Sequence, residues 1–193
     1  MSRNREFDEK IVLEKAMKIF WKQGYEKTSM QELVDYMGIH RKSIYDTFEN
    51  KRSLFIASLA YYEAFVAENF TEIINNSSTV KIAIQNIFNS VLQSIENDTS
   101  PPGCLAVNTA SELSLIDHGI NDIVTEMFRK TEVIFKQLLE EGIANGEFNE
   151  ELPPQATAQF LHNNLVGLRV LAKTNYSREE LSNNIEQILN VLN

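Results

Sequence analysis

Apolar residues recur along this chain at spacings of three and four, and no stretch sustains the alternation of a strand. After Asp8 the pattern runs Val12, Ala16, Ile19, Phe20, with Trp21 beside it, and Gly24 ends it. Leu33, Val34 and Met37 mark a second short helix, stopped by Gly38. Ile44, Tyr45 and Phe48 recur on the inner side of a third, which starts near Ile39 or His40. From Lys51 to about Asn75 one longer helix carries Leu54, Phe55, Ser58, Leu59, Tyr62, Phe65, Val66, Phe70 and Ile73. The polar cluster Asn75 to Ser78 breaks it. Val80 to Ile95 is helical again, Asn97 to Pro102 is a loop, and a helix starts near Gly103 and Cys104. His118-Gly119 breaks the chain before a long helix from Ile120 to about Ile143. Gly142, Gly146 and Pro153-Pro154 bracket the next loop, Ala156 to Lys173 follows as a helix, and Ser177 caps the last one. The expectation is an all-α protein of about nine helices.

Residues 29–48 read as a helix-turn-helix. Ser29 with Glu32 three residues on has capping-box spacing, and Gly38 supplies the bend. The second helix opens with His40, Arg41 and Lys42, placing cations where such motifs meet base edges. Arg41 and Lys42 are the candidates for base contact, because both side chains reach guanine O6 and N7. His40 either joins them or caps the helix. Thr28, Ser29, Ser43, Tyr45, Thr47 and Lys51 are phosphate-side candidates through hydroxyls, helix-start N–H groups and one ammonium.

With its flanks this stretch resembles the DNA-binding domain of the TetR family of transcriptional regulators. Ala16, Phe20, Gly24, Tyr25, Thr28, Ser29, Gly38, Ile44, Tyr45, Phe48, Lys51 and Leu54 match that pattern over about the first 60 residues, within the usual boundary error. The resemblance implies a three-helix head, a fourth helix joining head to body, a backbone contact at Tyr45, and a homodimer formed by the last two helices. His40 and Lys42 stand where many relatives carry smaller residues, so no operator sequence carries over. Thr47 replaces a second aromatic. Gly103, Cys104, Leu105 and Asn108 are similar to a segment in the regulatory domains of one broad TetR subgroup.

A net charge of −9 argues against a DNA partner until the chain is divided. Residues 1–53 hold 11 Lys and Arg against 9 Asp and Glu, a net +2, and residues 54–193 carry −11. The basic part is the helix-turn-helix part, and distant charge is screened beyond about 8–10 Å at cellular salt. The expected division is therefore a DNA-binding domain over 1–53 and a ligand-binding and dimerisation domain over 54–193. One cysteine excludes an internal disulfide. The polar first ten residues, and the lack of a long apolar run, point to a cytoplasmic protein with no membrane span.

No enzyme constellation is present. His40, His118 and His162 are scattered, and there is no nucleophile elbow, phosphate-binding glycine loop or zinc-protease motif. The spacing of Cys104, Glu112 and His118 matches no common metal site, so neither metal nor cofactor is expected. Residues expected to face the body's interior are Phe65, Phe88, Cys104, Asn108, Phe128, Phe160 and Asn164. The function expected is a dimeric repressor released from a palindromic operator when a small molecule shifts the helix after Lys51. One alternative makes Cys104 a redox or electrophile sensor, although no Lys or Arg lies within twenty residues of it in sequence. Another is a helical adaptor without DNA binding.

Overall fold

The computed structural model describes residues 8–96 and 101–193, so most of the loop expected over Asn97 to Pro102 lies outside it. Among the described residues every regular element is helical. The elements are α1 (Glu9–Gln23), α2 (Met30–Met37), α3 (Arg41–Phe48), α4 (Lys51–Asn75), α5 (Val80–Glu96), α6 (Leu105–Leu113), α7 (His118–Ala144), α8 (Pro154–Leu171) and α9 (Arg178–Leu189), with a final 3-10 turn at Asn190–Leu192.

Local chemistry sets most of the helix ends. Asp8, Ser29, Asn50, Asp117 and Ser177 each cap a helix with a side-chain oxygen. Ser29–Glu32 and Ser177–Glu180 form complete capping boxes. Gly38 ends α2 in the left-handed conformation, with φ 71° and ψ 30°. An added Cβ there would meet nothing, so the backbone angle alone favours glycine. Two starts differ from expectation. Asp117 caps α7, so His118 and Gly119 form its first turn and do not break the chain. Pro154 opens α8, where its missing N–H would have had no helical partner.

Packing divides into two clusters. The first joins Phe20, Trp21, Leu33, Ile44 and Phe48 of the head to Leu54, Phe55, Leu59 and Tyr62 of α4, and continues into Cys104, Leu105, Leu113, Ile120 and Met127. The second joins Phe70 of α4 to Ile84, Ile87, Phe88, Phe135, Leu161, Leu165, Leu181 and Ile185. Helix α4 belongs to both. The 53/54 division therefore does not coincide with a gap in packing.

Candidate nucleic-acid interface and interior cavity

Helix α3 is held from below by Ile44 and Phe48, both buried, while His40, Arg41 and Lys42 are exposed at its N-terminal end. His40 occupies the cap position but its side chain makes no capping bond. Of its two expected roles, only the one facing outward fits this geometry. Arg41 lies over the Tyr45 ring, with its guanidinium carbon 5.7 Å from the ring centre, and donates to the Tyr45 hydroxyl at 3.4 Å. Tyr45 is 40% exposed, so it stands on the outer side of α3 and not on the inner side that its spacing suggested. Ser43 and Thr47 are half-buried along the same helix.

Three phosphate-side candidates need individual treatment. Thr28 is fully buried; its hydroxyl donates to the Gly24 carbonyl at 2.6 Å and its N–H to Tyr25. That corrects its assignment: it locks the turn before α2 and has nothing left to offer a phosphate. The Ser29 hydroxyl accepts from the Glu32 N–H, but the side chain is exposed and its own O–H remains a donor. Lys51 rests its ammonium 4.2 Å from the Tyr25 ring centre, a cation–π contact beside the head's surface.

Polar contacts as well as core packing tie the head to the body. The Glu112 carboxylate of α6 accepts from the backbone N–H groups of Tyr25 at 2.9 Å and Glu26 at 2.8 Å. Gly24 has φ 85°, which favours glycine, and a Cβ there would lie 2.7 Å from that carboxylate, which would have to shift. Arg52, in the first turn of α4, makes two bonds of 2.7 and 2.9 Å to Asp117, the cap of α7. The Arg52 guanidinium, with the Ile120 N–H behind it, holds the Asp117 carboxyl well below the usual carboxylate range.

Beneath α4 lies a cavity of about 600 Å³. Trp21 of α1, Tyr62, Phe65, Val66, Asn69 and Phe70 of α4, Ser90, Val91 and Ser94 of α5, and Arg169 of α8 are among its walls. A smaller void of about 70 Å³ shares Tyr62, Val66, Phe70 and Arg169 and adds Cys104, Met127 and Phe128. The Tyr62 hydroxyl donates to Cys104 Sγ at 3.2 Å, and Arg169 Nη1 donates to the same sulfur at 3.5 Å. Burial pushes the Tyr62 phenol well above its usual range. His162, nearby on α8, is pushed down by burial against the pull of Glu132, 3.4 Å away.

Of the seven residues expected to face the interior, Phe65 lines the large cavity and Cys104 and Phe128 the small void. The other four are placed elsewhere. Phe88 is fully buried against Phe135 in the second cluster, so it is core. Asn108 lines neither space; it donates to the Trp21 carbonyl and accepts from Lys173. Phe160 and Asn164 lie on a groove formed by α8 and α9, facing away from the cavity, with Phe160 44% exposed. Helical spacing gives the apolar stripe but not which neighbour it meets.

Sequence reasoning missed Arg169, Trp21 and Tyr62 as cavity residues. A signal for Arg169 existed. It falls four residues after Leu165 and eight after Leu161, both fully buried, so a cation sits on the inward stripe of α8. No cation lies near Cys104 in sequence, but in space Arg169 reaches its sulfur from 65 residues away.

Two family profiles match the chain. Residues 12–58 match the one described as bacterial regulatory proteins, tetR family, and residues 82–188 match the tetracyclin repressor-like C-terminal domain. An uncharacterised HTH-type transcriptional regulator, YezE of Bacillus subtilis, is 30% identical over 193 residues, covering 100% of both chains. The HTH-type transcriptional repressor ComR of Escherichia coli is 29% identical over 180 residues, 93% of this chain and 86% of that one. Among solved structures, a cysteine mutant of the TetR family regulator CifR, complexed with a 26-bp double-strand operator DNA, superposes with a TM-score of 0.89 at 26% identity over 100% of both chains. Reduced NemR of Escherichia coli shares the fold, with a TM-score of 0.83 at 21% identity over 95% of this chain and 96% of that one.

Proposed function

Because the chain belongs to the TetR family of transcriptional regulators, we propose that it works as a ligand-responsive repressor: a dimer that holds double-stranded operator DNA and leaves it when a small molecule fills the cavity under α4. The observation that carries this reading is the course of α4. It begins at Lys51, directly after the recognition helix, and its middle forms the cavity wall through Tyr62, Phe65, Val66 and Phe70. A ligand that binds one setting of α4 better than another shifts the population of head spacings, and only such differential affinity can do so.

In this reading Arg41 and Lys42 read base edges and His40 stands beside them. Ser29, Ser43, Tyr45, Thr47 and Lys51 position the head on phosphates, and Thr28 drops out. The DNA-binding part is taken as 1–53 and the regulatory part as 54–193, with α4 shared between their cores. Dimerisation is assigned to α8 and α9, whose outer groove offers Phe160, Asn164, Gly167, Leu171 and Gln187. Two-fold symmetry then matches a palindrome with half-sites about 10 bp, or a multiple, apart. The protein is a regulator and not an enzyme. No described helix is long and apolar enough to cross a membrane, and we place the protein in the cytoplasm because its partner is DNA.

Fluorescence anisotropy with duplexes from the region upstream of its own gene tests this reading. Specific binding should weaken with salt, and Lys51→Ala should lower the salt slope by about one while weakening all sequences evenly. An unchanged slope would remove Lys51 from the phosphate contacts, and absence of salt dependence on any duplex would favour the adaptor alternative. The intact row of exposed cations on α3 argues against that alternative. The covalent alternative has Arg169 beside the thiol in its favour, but Cys104 is only 1% exposed. Release of DNA by a small molecule while mass spectrometry finds Cys104 unmodified would end it.

A further inference from the structure

The large cavity has a charged end that the protein does not balance. Arg169 projects from the buried stripe of α8 into its wall. A guanidinium carries five N–H donors, yet its one hydrogen bond among the described residues goes to the Cys104 sulfur at 3.5 Å, and it forms no ion pair with a carboxylate. The surrounding cations differ. Lys130, on the smaller void, pairs with Glu63 at 2.7 Å, and Arg52 pairs with Asp117 at 2.7 Å. Arg169 is half-buried, and a charge drawn partly from water without a counter-charge is unfavourable.

The cation sits within a packed aromatic group. The Trp21 ring lines the same cavity and packs edge-on to Tyr62 with ring centres 4.9 Å apart, while its indole N–H, without an acceptor among the described residues, is itself sealed from the cavity. Tyr62 in turn bonds the sulfur that Arg169 bonds. The Trp21 and Tyr62 rings and the unmatched cation thus belong to one connected group. Lys173 packs its methylene stem across Gly103, but its ammonium bonds the Asn108 amide oxygen at 2.8 Å, outside the cavity. The cavity's own unpaired acid, Glu72, lies on the C-terminal part of α4 with Ile73 and Asn76. Between the two ends the α4 wall carries Phe65, Val66 and Phe70, with the Asn69 amide among them.

We propose that the effector is a small anionic amphiphile, a monocarboxylate whose head is held by Arg169 and whose hydrocarbon body lies along Phe65, Val66 and Phe70. The planar fork of arginine fits a carboxylate in a two-point bond. A neutral ligand would leave Arg169 unmatched, and a cation would be repelled by it. A space of about 600 Å³ is in the ordinary range for such ligands. This assignment rests on the cavity being the effector site.

Trp21 is the chain's one tryptophan, so its emission reports occupancy of the cavity. The full chain is titrated with straight-chain carboxylates from hexanoate to dodecanoate, with decanamide, and with decyltrimethylammonium. Release of a fluorescent operator duplex is followed in parallel. The expected result is saturable binding of decanoate, about tenfold to a hundredfold tighter than decanamide, and no binding of the ammonium probe. Arg169→Gln should abolish that preference while decanamide affinity stays within about twofold, and Arg169→Lys should keep part of it. Equal affinity for acid and amide, a preference that survives Arg169→Gln, or no emission change across the series would each overturn the proposal. A carboxylate preference with DNA retained would uphold the anion site and end the effector reading. DNA release by acid and amide alike would uphold the effector reading and end the anionic one.

Discussion

The two ends of α4 are made by opposite means. At its start, Asn50 caps the helix by accepting from the Ser53 N–H, and the recognition helix beside it is fixed by Ile44 and Phe48 a few residues away. Most of what shapes the reading surface lies close in sequence, with Glu112 reaching the turn before α2 from α6. Further along, Tyr62 to Phe70 face a cavity completed by Trp21, Ser90 and Arg169, drawn from three other helices. The reading surface is locally encoded, whereas the sensing surface exists only once the body has folded. A fold can therefore keep one surface constant while a few distant substitutions remake the other.

The strongest way to break this comparison is to disturb what both ends share. Phe20 is fully buried and meets Phe55 edge-on at 4.8 Å, inside the cluster that spans head and body. Phe20→Ala should cost about 3–5 kcal/mol in denaturant unfolding. The whole chain should still melt in one transition. A separate early transition of the head would show that the two ends are independent after all.

Arg41→Ala tests the local end. It should lose roughly 1–3 kcal/mol on the operator and relax specificity at one base position. Equal loss on every duplex would make Arg41 a phosphate contact. Glu112→Ala tests the connection, because it frees the Tyr25 and Glu26 N–H groups from α6. We expect operator affinity without ligand to change little and the ligand's effect on it to fall by about 0.5–2 kcal/mol. An unaltered ligand effect would leave α4 as the whole route.

The smallest effect expected is acidic. Asp117 is depressed by Arg52, so the unfolded chain binds its proton more readily than the folded one. The stabilisation is present above the ordinary aspartate value of about 4 and is lost as pH falls towards the folded value. Arg52→Ala should flatten that acid limb in thermal melts. An unchanged limb would mean the exposed pair contributes nothing measurable.

Much of the molecule was legible in the sequence. The capping box at Ser29, the turn at Gly38 and both ends of α4 follow from residues within a turn of one another, and the structure has them there. Tyr45 and Phe88 show the limit. Each falls at an apolar spacing, yet one is exposed over α3 and the other is sealed against Phe135. Periodicity shows that a face exists, and packing decides what it meets. The long-range polar contacts, Arg169 to Cys104 and Glu112 to Tyr25, join residues 65 and 87 positions apart and leave no local trace.

The core that passes from Phe20 through Leu54, Phe55 and Leu59 into Cys104, Leu113 and Met127 also limits how this protein can be rebuilt. A hybrid regulator made by joining residues 1–53 to a foreign body would leave Phe20, Trp21 and Leu33 against a stranger's surface. It would also cut the Tyr25 and Glu26 amides off from Glu112. A workable transplant would carry α4 and α6 with the head, so the unit of exchange is larger than the unit that touches DNA.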